Sequence, residues 1–302
     1  MILSPAAALT LSVSQAENSA PIAENLTLTT YKNVALHGRC AAVDPEGDLV
    51  TFRLTGKPAR GQVELREDGS FCYTPYENKK GKDTFTYVAE DTAGNRSEEA
   101  TVQVTIQKPA TAVSYSDLEG HTAHCAAVRL AERGIFVGSN VGGVYCFRPD
   151  ESVSRGEFLA MAMTAAGAEA LKGVTVTGFP DDEGIPTWAK GYVSAAVMSG
   201  AVRGQGCESG QVVFNASSPI TAAEAAVLID RLLAMGDVTA KSAFGEDAVP
   251  SWAYQSVVNM EAVAVVSADA ELSAPLTRGE AAQMLSAMLD VVDSRKERGL
   301  FR

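Results

Sequence analysis

A four-residue pattern, Ser/Thr-x-x-Glu, occurs three times, as Ser154-Arg155-Gly156-Glu157, Thr221-Ala222-Ala223-Glu224 and Thr277-Arg278-Gly279-Glu280. Each stands directly before a helical apolar run, such as Phe158-Leu159-Ala160-Met161. A Ser or Thr at the N-cap accepts from the backbone N–H three residues on, while the Glu reaches back to the cap N–H. Each pattern is therefore a capping box that starts a helix. The surroundings recur too, at a period of roughly 55 to 65 residues, and self-similarity on that scale marks an array of stacked units.

In the first copy Tyr115-Ser116-Asp117 leads to Gly120-His121-Thr122-Ala123, a helix from Ala126 to Arg133, Gly134-Ile135-Phe136-Val137-Gly138, Phe147-Arg148-Pro149 and the box. The second runs Phe179-Pro180-Asp181, Pro186-Thr187-Trp188-Ala189, a helix to Met198, Gly200-Ala201-Val202-Arg203-Gly204, Phe214-Asn215-Ala216 and its box. The third keeps Phe244-Gly245-Glu246-Asp247, Pro250-Ser251-Trp252-Ala253, a helix to about Glu261, and its box; Ser267 to Pro275 replaces the longer loop.

This order of submotifs, from residue 115 to about 292, resembles the S-layer homology domain of bacterial cell-surface proteins. The resemblance implies three helical-hairpin repeats about a pseudo-threefold axis. It also implies non-covalent anchoring to a secondary cell-wall polysaccharide of a Gram-positive-type bacterium, often one carrying pyruvylated sugars. Arg155 and Arg278 match the family's ligand-contacting arginine. Both sit where a helix end favours anions, so a cation there points to a bound carboxylate, which a guanidinium holds with two parallel hydrogen bonds; the alternative is an ion pair with a nearby Asp or Glu. Ala222 stands at the matching place in the second copy, so that groove lacks its fork. Trp188 and Trp252 match the family's tryptophan and are read either as sugar-stacking rings or as core or interface residues. Asp117 and Asp181 are read as ligand contacts or as turn formers, and Glu157, Glu224 and Glu280 as caps first.

From about Pro21 to Ile106 the period changes to two, with Leu26–Thr30, Val50–Leu54, Gln62–Leu65, Ser70–Thr74, Asp83–Val88 and Ala100–Ile106 reading as half-buried strands. Asp44-Pro45-Glu46-Gly47-Asp48, Glu67-Asp68-Gly69 and Asp91-Thr92-Ala93-Gly94-Asn95 supply the turn chemistry between them. About seven short strands in a stretch of this length point to an immunoglobulin-like β-sandwich. The first of those turns, together with Asp68-Gly69-Ser70-Phe71-Cys72-Tyr73-Thr74-Pro75 and Gly81-Lys82-Asp83-Thr84-Phe85-Thr86-Tyr87, resembles the cadherin-like and bacterial immunoglobulin-like modules of surface adhesins. Such modules are mostly spacers or adhesive units, and some hold calcium. Asp44, Glu46, Asp48 and Asp91 are the hard oxygen donors calcium takes; solvated turn formers are the other reading.

The expected architecture is multidomain. A leader (1–16), read as a signal-peptide remnant or a disordered segment, precedes an all-β sandwich (17–108) and a linker (109–114). An all-α array follows, with repeats at 115–172, 173–238 and 239–302, the last including the tail. The formal charge of −12 and the absence of a basic stripe argue against nucleic acid, and no apolar run is long enough to span a membrane. Five cysteines allow Cys40–Cys72 and Cys125–Cys146 pairs with Cys207 left over. His121, His124, Cys125 and Cys146 fit no strong zinc spacing, and no nucleophile elbow, phosphate loop or catalytic triad is present, so no enzyme is expected. A secreted wall-anchored protein follows, the sandwich projecting as a spacer. Competing readings are an adhesin whose sandwich binds a protein or glycan partner, and a structural component of an S-layer or matrix.

Overall fold

The computed structural model describes residues 18–207, 210–245 and 248–299. The expected leader and Asp247 lie outside them. The chain divides into two compact units, Met1–Gln107 and Lys108–Arg302.

The first unit carries β1 (Ile22–Ala23), β2 (Leu26–Tyr31), β3 (Leu36–Arg39), β4 (Ala42–Val43), β5 (Thr51–Gly56), β6 (Gly61–Leu65), β7 (Ser70–Pro75), β8 (Gly81–Glu90) and β9 (Ala100–Gln107). They form a four-stranded sheet in the order β2-β9-β8-β5, a three-stranded sheet β3-β7-β6 and a small β1-β4 pair. The β2-β9 pairing is parallel, with Leu26 opposite Val102; the other pairings are antiparallel. Alternation decides which face turns inward. Phe85 and Tyr87 of β8, Val102, Val104 and Ile106 of β9, and Phe71 and Tyr73 of β7 are buried in one core, while their sequence neighbours are more exposed. Phe71 and Phe85 meet edge to face, ring centroids 5.2 Å apart. β3 escaped the sequence reading because Leu36-His37-Gly38-Arg39 has one large apolar residue and a glycine.

Neither expected disulfide in fact forms: Cys40, Cys72 and Cys146 are free thiols. Register explains the first case, since Cys72 lies opposite His37 while Cys40 falls beyond the end of β3 and inside the core. Burial pushes the Cys40 thiol up to about 12, which leaves it an inert apolar filler.

The second unit contains α1 (His124–Glu132), β10 (Ser139–Val141), β11 (Val144–Cys146), α2 (Arg155–Ala166), α3 (Thr187–Met198), β12 (Gln205–Gly206), β13 (Val212–Val213), α4 (Ala222–Leu233), α5 (Tyr254–Ala262) and α6 (Arg278–Glu297). It is thus a helical unit with two β-hairpins, β10-β11 and β12-β13, rather than all-α. Each hairpin folds over a glycine. Gly138 and Gly204 have φ of +74° and +78°, and a Cβ on either would lie 2.5 Å from the hairpin, at Cys146 O and Val212 Cγ1. The Gly-x-x-x-Gly segment of the first two copies therefore ends in a glycine for steric reasons.

Helix pairing also differs from the expected hairpins. The box helix of one copy packs on the first helix of the next: α2 on α3, α4 on α5 and α6 on α1. After α2 and α4 the chain reverses through a left-handed residue, Gly167 or Ala234, and returns in the following helix. Within each of the first two copies a β-hairpin and a loop separate the helices instead, and within the third a loop alone does.

A closed ring of backbone hydrogen bonds joins the three copies. Val153 N–H donates to Leu276 O at 3.0 Å, Leu276 to Ile220 at 2.8 Å, and Ile220 to Val153 at 3.0 Å. These residues immediately precede the boxes. The first N–H groups of each box helix, which have no partner inside the helix, continue the cycle. Arg155 and Gly156 donate to Ser218 and Ala216, Ala223 to Leu272, and Arg278 and Gly279 to Glu151 and Pro149. Three like segments, each leaning on the next, give this unit a cyclic centre.

Candidate functional site

In all three boxes the Ser or Thr accepts from the Glu N–H and the Glu carboxylate returns to the cap N–H. Ser154 N to Glu157 Oε2 is 2.9 Å, Thr221 N to Glu224 Oε2 is 3.1 Å and Thr277 N to Glu280 Oε2 is 2.8 Å. With the cap fixed, residue N1 is aimed at the neighbouring copy. In α2 and α6 that residue is an arginine; in α4 it is Ala222, which is buried.

Arg155 lies over the Phe214 ring, its guanidinium carbon 5.6 Å from the centroid, with Nη1 3.4 Å from Glu224 Oε1. Its Nε is buried without a hydrogen-bond partner among the described residues. Burial holds this guanidinium below the ordinary arginine range, Glu224 opposes that shift, and the charge of Arg231 adds to it. Beside it lies a cavity of about 50 Å³ lined by Leu159, Arg203, Phe214, Glu224 and Arg231 among others. Glu224 also contacts the Gln205 amide, and Asn215 Nδ2 donates to Gln205 Oε1 at 3.1 Å.

Arg278 repeats the arrangement against the first copy, 5.7 Å over Phe136, facing a cavity of about 10 Å³ lined by Phe147, Glu157, Met161 and Ala282 among others. Its Nη1 approaches Glu151 Oε2 at 2.7 Å, yet that nitrogen makes no hydrogen bond among the described residues. The contact is an ion pair whose geometry leaves the donor undirected. One water needs about 10–15 Å³ of such space, so the first cavity holds several waters and the second one at most. Among the positions at which the two linings differ, Phe136 in the first copy corresponds to Val202 in the second. The larger ring fills its own cavity.

Asp117 accepts from Phe147 N and Arg148 N at 2.9 and 2.7 Å, and Asp181 from Phe214 N and Asn215 N at 3.0 and 2.8 Å. Both oxygens of each carboxylate thereby hold a left-handed residue, Arg148 or Asn215, in its turn. Each aspartate thus forms the turn at its repeat entrance. Trp188 and Trp252 are 53% and 60% exposed, which overturns the core reading; neither lines an arginine cavity.

In the first unit Asp44 Oδ1 accepts from Glu46 N and Asp48 N, and Asp91 Oδ1 from Ala93 N and Asn95 N, so both aspartates build their own turns. Glu46 accepts from Ser19. Asp44 Oδ2 is buried without a partner among the described residues. Among those residues no three of His, Cys, Asp or Glu gather as a metal-holding group.

Arg203, Arg231, Phe214 and Phe136 were not selected from the sequence. Glu224, Leu228 and Arg231 fall at i, i+4 and i+7 of α4, one helix face, and that spacing was the available signal. Nothing local indicates that Arg203 joins them.

Residues 18–108 match the family model of the bacterial cadherin-like domain, so the first unit is a module of that class. No curated protein matches the chain. Among solved structures, similarity extends to an endo-fucoidan hydrolase of glycoside hydrolase family 107 at 22% identity, over 32% of this chain and 14% of that one, with a TM-score of 0.25. It extends to the sialic acid binding region of a Streptococcus sanguinis adhesin at 13%, over 32% and 31%, with a TM-score of 0.25. A SusE-like surface polysaccharide binding protein of Bacteroides thetaiotaomicron follows at 18%, over 30% and 15%, with a TM-score of 0.22. The chain spans less than a third of the length of each of these proteins. No described helix is long and apolar enough to cross a membrane.

Proposed function

We propose that this protein attaches to the bacterial cell wall without a covalent bond, its second unit acting as S-layer homology repeats that bind an acidic secondary polysaccharide. The cadherin-like module then serves as the projecting part. The observation that carries the reading is Arg155 at its cavity: a largely buried guanidinium with an unpartnered Nε, on a helix start, beside space enough for an acidic substituent. An unsatisfied buried donor costs stability, and a carboxylate or phosphate on a sugar would satisfy it. Support also comes from the backbone ring at the boxes, which treats the three copies as equivalents. The exposed Trp188 and Trp252 offer flat apolar faces for sugar rings at matching helix starts.

A second reading makes the protein an adhesin. Ile22 and Val43 are cross-strand partners, 63% and 60% exposed, an apolar pair that a protein or glycan partner of the sandwich would cover.

The test is co-sedimentation of the purified chain with Gram-positive walls, before and after acid extraction of the secondary polymer, using wild type and the Arg155→Ala/Arg278→Ala double variant. Wild type is expected to pellet only with intact polymer and the variant to stay in solution. A wild type that ignores walls, or a variant that pellets equally, overturns the anchoring reading and leaves the sandwich as the binding element.

A further inference from the structure

The two arginine cavities are not electrostatic equivalents. At the larger one, between α2 and α4, Arg155, Arg203 and Arg231 meet one carboxylate among the described residues, Glu224. Burial and then the neighbouring charge of Arg203 hold the Arg231 guanidinium below its ordinary range, which places the two cations within reach of each other's field. The charge of the adjacent Asp230 opposes that shift, although its oxygens are engaged elsewhere. Asp230 turns the other way, accepting from Ser256 Oγ at 2.7 Å and Asn259 Nδ2 at 3.1 Å. Arg231 is only weakly tied, donating to Ala201 O at 3.3 Å. At the smaller cavity the balance is reversed, since Arg278 meets Glu157 in the lining and Glu151 at 2.7 Å.

Three guanidiniums and one carboxylate line this cavity among the described residues, a cationic balance that favours an anion entering it. The cavity's several-water volume suits one small oxyanion, not a whole sugar ring. Guanidinium forks bind such groups with paired hydrogen bonds. Resting on the anchoring reading above, we infer that the cavity at Arg155, and not its counterpart at Arg278, holds the acidic substituent, and that Arg203 and Arg231 make it selective for a doubly negative oxyanion carried on a sugar. That chemistry has two sources, a phosphate monoester or a ring bearing two carboxylates. Arg155 anchors either; the other two arginines read the second charge.

Calorimetric titration of the full chain at constant ionic strength, at a pH where phosphate monoesters are dianions, decides the matter. The probes are glucose 1-phosphate, malonate and glucuronate. Glucose 1-phosphate or malonate is expected to bind about tenfold or more tighter than glucuronate, at one site per chain. The Arg203→Gln/Arg231→Gln variant changes two exposed side chains. It is expected to lose that preference while retaining glucuronate binding through Arg155. Equal affinities in wild type, an unchanged preference in the variant, or two equivalent sites would overturn this inference alone. Absence of binding by all three probes, with wall co-sedimentation intact, would move the contact away from the arginines altogether and overturn it as well.

Discussion

At the residue scale the best-supported side chain in the first unit is Asp83. Its carboxylate accepts from Tyr73 Oη at 2.7 Å, Arg60 N at 2.8 Å, Ala59 N at 2.9 Å and Thr84 N at 3.1 Å. Burial alone would raise its pKa, yet these four donors outweigh it and hold the group below the usual carboxylate range. A depressed folded value contributes stability that is fully present above the unfolded pKa and is lost as pH falls through the folded one. Asp83→Asn is therefore expected to cost about 2 kcal/mol at neutral pH and to flatten the acid limb below about pH 4. Denaturant melts of both proteins across that range would show it; parallel acid limbs would refute the assignment. The four donors come from β8 itself, the loop before β6, and β7, and no sequence window contains them together.

At the element scale the box helices are the units that carry the site, and their starts determine where N1 points. Thr221 caps α4, whose buried face includes Ala225, Leu228 and Ile229. Removing the cap oxygen while leaving the helix unchanged tests how much that start contributes. Thr221→Ala is expected to cost about 1 kcal/mol in urea unfolding followed by the helical circular dichroism band, with no change in the denaturant slope. The capping boxes were legible because cap and partner are three residues apart and chemically specific. The strands with period-two alternation were legible for a similar reason. The hairpins β10-β11 and β12-β13 were not, since segments of two or three residues carry no period.

At the scale of the second unit, closure is the organising event. Its first helix, α1, is clasped to its last, α6, by Arg129, which reaches Asp290 at 2.7 Å, Ser286 O at 3.0 Å and Asp293 at 3.2 Å, with Arg133 also on Asp293. Arg129 is well covered, so its charge-assisted contacts are screened less than those of a surface pair. Arg129→Ala is expected to destabilise this unit by about 1–3 kcal/mol. Unfolding of the helices should move to lower denaturant while the β-sandwich, which holds no helix, keeps its own midpoint. A common shift of both transitions would contradict independent folding of the two units.

The sequence by itself determined the local elements: capped helices, alternating strands, the turns that Asp44 and Asp91 build, and the recurrence that announces a repeated array. Each is a matter of neighbours within a few residues, where steric and hydrogen-bond rules act without knowledge of the rest of the chain. Only the tertiary structure decided the rest. It placed each box helix against the following copy, turned Asp117 and Asp181 to backbone N–H groups some thirty residues away, left the cysteines of the sandwich unbridged, and made one arginine cavity roomy and cationic while Phe136 filled the other. Those outcomes depend on volume and charge summed over segments far apart in the chain, and such sums exist only once the segments are packed.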